Sequence, residues 1–234
     1  MTLTSTAAKI TSKGGRNYNE DSVFFMQSDQ KILAIVADGL GGHGGGDLAS
    51  KSAVEAASEY LFKENIITDQ HILDTVNYAN EAVLKHPGAK TTIALLCLDG
   101  STAISAHVGD TRIYQFRDSR IIFQSIDHSV SQMAVAVGEI NHSEIRYHPD
   151  RNKLLRALGD KESPGTETAE LTVHKSDAFL LCSDGFWELI VEQEMEYDLS
   201  LSQNAKEWLY RMSERVYAKT NDKSDNYSAI AIII

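Results

Sequence analysis

Two periods of apolar and polar positions divide this chain. Short runs dense in aliphatic, β-branched and aromatic residues recur at 22–27 (SVFFMQ), 31–37 (KILAIVA), 91–98 (TTIALLCL), 101–108 (STAISAHV), 112–116 (RIYQF), 120–125 (RIIFQS), 178–183 (AFLLCS) and 227–234 (YSAIAIII). Each predicts a strand. Helical spacing takes over at 47–62, where Leu48, Ala49, Ala53, Ala56, Ala57 and Tyr60 form one stripe, and again at 71–84 and 204–217. Strands follow one another closely, with Asp99-Gly100 and Asp118-Ser119 as turns, whereas helices come in blocks. That order predicts an α+β fold of antiparallel sheets covered by helices rather than a β-α-β alternation.

With 234 residues, 42% of them hydrophobic, and three prolines, the chain carries enough apolar material for one large domain, and no repeat, low-complexity tract or linker divides it. A formal charge of −11 argues against a nucleic-acid partner, whose phosphate backbone demands cations; clustered acids can hold cations instead. Cys97 and Cys182 sit inside apolar runs and are read as reduced core thiols of a cytoplasmic protein. The N-terminal stretch lacks the apolar segment of a signal peptide and no run is long enough to span a bilayer, so neither export nor a membrane is expected.

Candidate chemistry begins at AIVADGLGGHGGGD (34–47), where a predicted strand runs into Asp38 and a glycine-rich loop. Gly39, Gly41 and Gly44 satisfy the dinucleotide fingerprint, but Asp38 would then face a pyrophosphate, and two helices and a hairpin replace the required crossover. The stronger signal is repetition. Asp38, Asp110 and Asp184 each close an apolar strand beside glycine, and Asp225 with Asn226 opens the last strand. Carboxylates gathered in a low-dielectric cleft repel one another unless cations intervene, and an all-oxygen set without Cys or paired His favours Mg²⁺ or Mn²⁺ over Zn²⁺. GGRNYNED (14–21) adds Arg16, a bidentate phosphate binder, next to Glu20 and Asp21, which can orient metal-bound water. Together these suggest phosphoryl transfer to water.

The same stretches carry a family resemblance. RNYNED (16–21), DGLGGH (38–43), VGDTRIY (108–114), DHS (127–129), HPDRNKLLRALG (148–159), CSDGFW (182–187) and DNYS (225–228) appear in the order found in metal-dependent protein Ser/Thr phosphatases of the PPM type, or protein phosphatase 2C, which the chain resembles in their compact bacterial form. The resemblance implies one phosphatase domain over 1–234, a four-layer α-β-β-α sandwich with two antiparallel sheets, and a centre of two Mn²⁺ or Mg²⁺ ions, with a third in some bacterial members. Carried over, Asp38 bridges two ions, the Gly39 carbonyl contributes, and Asp184 and Asp225 complete the first. Glu20 and Asp21 hold waters of the second; Asp110 joins Asp184 at the third; Arg16 holds the phosphate. Residues 130–149 correspond to a mobile flap, and the helix-breaking GEIN within them predicts a loop-rich lid.

Three positions depart from the family pattern. Leu40 stands where some eukaryotic members place a histidine proton donor, leaving His43 as the nearest candidate acid; Asp47 stands where glutamate is common; and Gly-Thr-Thr reads Lys90-Thr91-Thr92. The implied reaction is attack on phosphoserine or phosphothreonine by a metal-bridging hydroxide. Phosphorylated proteins and an opposing Ser/Thr kinase are the implied partners. A non-catalytic phosphoprotein-binding module on the same fold and a small-molecule phosphatase remain alternatives.

Overall fold

The computed structural model describes residues 5–28, 31–41, 45–62, 67–160 and 163–234. In chain order the strands are β1 (Thr6–Ser12), β2 (Ser22–Gln27), β3 (Lys31–Ala37), β4 (Gly39–Leu40), β5 (Lys90–Thr91), β6 (Ile93–Asp99), β7 (Thr102–Val108), β8 (Arg112–Arg117), β9 (Arg120–Gln124), β10 (Glu167–Thr172), β11 (Asp177–Cys182) and β12 (Tyr227–Ile233). The helices are α1 (Gly46–Phe62), α2 (Asp69–Val83), α3 (Val130–Ala136), α4 (Asp184–Trp187), α5 (Glu192–Ser200) and α6 (Ala205–Lys219), with a 3₁₀ turn at His142–Tyr147. Two five-stranded sheets, ordered β1-β12-β11-β8-β9 and β10-β7-β6-β3-β2, pair antiparallel throughout.

Strand β3 shows how the layers form. Ile32, Ala34 and Val36 point between the sheets, against Phe179, Leu181, Ile230 and Ile232, while Leu33, Ile35 and Ala37 face α1 and α2. A strand buried on both faces reads as a continuous apolar run, which is why KILAIVA does not alternate. The other sheet, β1-β12-β11-β8-β9, is covered by α5 and α6, with Trp208 and Met212 fully buried against Phe116 and Leu180. The result is the expected α-β-β-α sandwich. On α1 the buried stripe is Ala49, Ala53, Val54, Ala57 and Leu61; Leu48, expected in it, lies half exposed at the first turn.

Local signals account for the boundaries. Thr68 caps α2 by accepting from the His71 amide, and Asn204 caps α6 by accepting from the Glu207 amide. Asp118 and Ser119 both adopt positive φ (50° and 61°), as a two-residue hairpin of the right twist requires. Two strands and two helices of more than four residues escape the apolar pattern. Strands β1 and β10 are sheet edges, half exposed and built from Thr, Ala, Glu and Lys, so they show little of the β-branched density that marks a core strand. Helix α5 (EQEMEYDLS) buries only Met195, Asp198 and Leu199. Helix α3 lies in the 130–149 segment, which is largely helical rather than loop-rich: α3 stops at Ala136, Gly138 takes φ +77°, and the 3₁₀ turn follows. Among the described residues no helix is long and apolar enough to cross a membrane.

Candidate metal centre at the strand tips

The antiparallel register brings distant acids to one end of the sandwich. Ser22 pairs with Ala37, Val36 with Ala94, Ile93 with Val108, and Cys182 with both Arg112 and Ala229. Asp21 before β2, Asp38 after β3, Asp110 after β7, Asp184 after β11 and Asp225 before β12 therefore share that end, with Glu20 beside them. His43, the expected acid, lies outside the described residues.

Hydrogen bonds fix each backbone segment. The Asp38 amide donates to Thr92 Oγ1 (3.0 Å), and its carbonyl accepts from the Thr92 amide (2.9 Å) and Thr91 Oγ1 (2.7 Å). The Lys90-Thr91-Thr92 variation thus keeps the two hydroxyls that hold Asp38. Buried Asn226 ties down the 13–20 loop: its Oδ1 accepts from the Glu20 amide (2.8 Å), and its Nδ2 donates to the carbonyls of Lys13 and Tyr18 (2.9 Å each). Gly39 is packed so tightly that a Cβ would lie 2.2 Å from the Gly46 carbonyl oxygen, which explains a glycine directly after Asp38.

The electrostatics are those of acids without enough cations. Burial pushes the Asp38 and Asp110 carboxyls well above their ordinary range, with Asp184 the next contributor in both cases. Burial raises Asp21 to about 7, against the bond from Ser183 Oγ (2.9 Å), and raises Asp184 to about 6. Glu20 is raised by burial and by Asp47. Asp21 Oδ1 and Asp184 Oδ1 are buried with no hydrogen-bond partner in the described structure. Orphaned carboxylate oxygens normally signal a missing ion or water. An all-oxygen set of this kind, rich in carboxylates, fits hard divalent cations.

Arg16 stands at the rim, half exposed, with Nη2 on Asp225 Oδ2 at 2.8 Å. Its remaining guanidinium donors have no partner among the described residues, leaving much of the fork for an anion. Three features escaped the sequence reading. Glu188, one turn past Asp184, is raised to about 7 by burial and by Asp184, and pairs with Arg151 (2.7 Å). Arg112 and Asp127 form a bidentate ion pair (2.8 and 2.7 Å) with both side chains 2% exposed. Arg112 also stacks 3.5 Å over Trp187, whose Nε1 donates to the Asp110 carbonyl (2.9 Å). Both partners lie in stretches that carried the resemblance, VGDTRIY and DHS, but their pairing across 15 residues leaves no local signature. In the 130–149 segment, buried Arg146 anchors the 3₁₀ turn to the carbonyls of Trp187 and Ile190 and to Glu192, while Met133, Val137 and Tyr147 project into solvent.

A stability prediction follows. Folded Asp21 and Asp184 retain protons that unfolded carboxylates, with pKa near ~3.9, have released. The folded state then binds more protons, so this contribution is complete below about pH 4 and is lost as pH rises through about 7. His128 and His142, both lowered, act the opposite way, but Asp38, Asp110, Glu20 and Glu188 reinforce the loss. The metal-free protein is expected to have a higher Tm at pH 5 than at pH 7.5, with Mn²⁺ restoring the loss at pH 7.5. Calorimetric scans showing a rising metal-free Tm over that interval would contradict it.

Comparison with known proteins agrees with this architecture. The family model described as Protein phosphatase 2C matches residues 14–224. The chain is 33% identical over 195 residues to a Listeria innocua protein named serine/threonine phosphatase stp, covering 77% of each. The crystal structure of the Mycobacterium tuberculosis serine/threonine phosphatase PstP/Ppp superposes with a TM-score of 0.87 at 26% identity, covering 99% of both chains. A further structure, the PstP catalytic domain in complex with 2 manganese ions, has a TM-score of 0.84 at 24% identity, covering 98% of this chain and 99% of that one. The chain belongs to the protein phosphatase 2C family.

Proposed function

We propose that this protein hydrolyses phosphoserine and phosphothreonine in proteins, using divalent ions held at the strand tips and opposing a Ser/Thr kinase in the cytoplasm. The observation that carries the reading is the set of buried, mutually repelling carboxylates with orphaned oxygens at Asp21 and Asp184. Such a set has a purpose in a metallohydrolase and only a cost in a binding module. In this reading Asp38, the Gly39 carbonyl, Asp184 and Asp225 would hold the ions, Glu20 and Asp21 would orient metal-bound water, and Asp110 with Asp184 would hold a further ion. Mn²⁺ or Mg²⁺ bound there supplies Lewis-acid charge and an activated water near neutral pH.

The protein's own groups do the rest. Arg16 stands at the rim with one nitrogen on Asp225, and among the described residues its other donors have no partner and can take phosphoryl oxygens. The Thr91 and Thr92 hydroxyls and Asn226 hold the acids in place, so little reorganisation is needed as charge develops. His43 is assigned the proton delivered to the departing serine or threonine oxygen, on its place in the glycine loop, since Leu40 has no proton to give. Residues 1–234 act as one phosphatase domain, with 130–149 as the flap that meets the protein substrate through Met133, Val137 and Tyr147.

Arg16→Ala is expected to lower kcat/KM for a phosphothreonine peptide about 10-fold or more, with a sizeable share in KM, because the guanidinium binds phosphate before and during attack. Steady-state kinetics showing an unchanged kcat/KM would remove Arg16 from the site. A preference for metabolite phosphates over phosphopeptides in the same assay would favour a small-molecule phosphatase.

A further inference from the structure

His107, His128 and Glu167 each bring one ligand-type atom to within 4.8 Å of the others, a composition that suggests a transition-metal site. Their hydrogen bonds assign a different role. His128 Nδ1 accepts from the Gly109 amide at 3.1 Å. Burial, with the stacked ring of His107 next in weight, pushes His128 down to about 4, so at neutral pH the ring carries one proton. With Nδ1 accepting, that proton sits on Nε2, 3.1 Å from Glu167 Oε1. His128 therefore has no lone pair to offer a cation on that side. Arg156 Nη1 lies 3.2 Å from His128 Nε2, but a guanidinium only donates and a protonated Nε2 cannot accept, so with Nδ1 committed to the Gly109 amide the two Nη1 protons go to the Gly165 carbonyl (2.9 Å) and Glu167 Oε1 (3.3 Å).

The inner end of this chain of contacts reaches the acidic cluster. His128 grips Gly109 twice, since its own amide also donates to the Gly109 carbonyl at 2.9 Å. Gly109 holds φ +102°, and a Cβ there would lie 2.5 Å from Thr92 Cγ2, so the corner has no slack. Asp110 follows directly, its carbonyl held by Trp187 Nε1 at 2.9 Å. We propose that His128 is a positioning residue: in the Nε2–H tautomer that leaves Nδ1 to accept from the Gly109 amide, with Nε2 facing Glu167, it clamps the Gly109–Asp110 corner and so sets the affinity of the divalent-ion site to which Asp110 contributes. This rests on the reading of Asp110 as a metal ligand.

Two measurements test it, using the whole chain. Long-range ¹H–¹⁵N spectra of the metal-free protein at pH 7 should show His128 protonated at Nε2 and not at Nδ1; the opposite pattern overturns the proposal. Titration with Mn²⁺ by calorimetry then reads the site itself. His128→Gln lacks an acceptor at the Nδ1 position and should weaken the weakest Mn²⁺ step about 10- to 100-fold, whereas His128→Asn, whose Oδ1 replaces Nδ1, should stay within about threefold of the parent. Equal losses in both variants, or none in a folded His128→Gln, overturn the clamp. If His128→Gln does not fold, the spectra and the Asn variant decide. Asp110→Asn should lose the same step. Its loss without one in His128→Gln sinks the clamp alone, while no loss in Asp110→Asn sinks the metal reading of Asp110 and the clamp with it.

Discussion

Asp38→Asn is expected to reduce kcat on a phosphothreonine peptide by about 10³-fold or more, because the charge stabilisation it removes is worth several kcal/mol and each ~1.36 kcal/mol is a factor of ten. The backbone of Asp38 is held by Thr91 and Thr92 independently of its side chain, so the variant should fold normally. Its metal-free form should even gain stability at pH 7.5, since a carboxyl repelled by Asp184, Asp21 and Asp110 becomes a neutral amide. Loss of activity with retained or increased Tm is the combined signature. Turnover near that of the parent, with Mn²⁺ binding intact, would show that Asp38 is not at the reacting centre.

The second large effect belongs to a pair outside the acidic cluster. Asp127→Ala should destabilise the fold by about 3–5 kcal/mol, because it strands a fully buried guanidinium. For a chain of this size that corresponds to a Tm lower by roughly 6–20 °C in a calorimetric scan. Replacing Arg112 by Met and Asp127 by Leu together should cost clearly less, since neither charge is then left unpaired. The double variant should still lose some activity, because Arg112 stacks on the Trp187 ring that holds the Asp110 carbonyl. A Tm unchanged by Asp127→Ala would mean that Tyr114 and Glu192, the other groups on Arg112, satisfy it alone.

How much of this could be read from the chain depends on range. Strands buried on both faces announce themselves through unbroken apolar runs, and because such a run ends where the core ends, the aspartates that close them are legible as strand-tip acids. The edge strands β1 and β10 were not legible, since half their residues face water and their pairing partners β12 and β7 lie far away in sequence. The same limit hid the supporting contacts. The Arg16–Asp225 pair closes over 209 residues, and nothing local in RNYNED states that its arginine meets the aspartate just before the last strand. Asn226 was visible as a neighbour of Asp225, but its three bonds into the 13–20 loop emerge only when the two ends of the chain meet. In 130–149 the GEIN stretch marks the break at Gly138, but the helix before it has no apolar signature: Ser129 caps it by accepting from the Gln132 amide, a short-range signal that the apolar pattern does not contain.

Exhaustive chelation followed by Mn²⁺ titration tests whether divalent ions at the strand tips carry phosphoester hydrolysis. Phosphate release from a phosphothreonine peptide should vanish in the chelated protein and return in step with Mn²⁺ binding measured on the same sample, while Asp184→Asn should both weaken that binding and block the return. Full hydrolysis by protein shown to hold no metal would contradict the account.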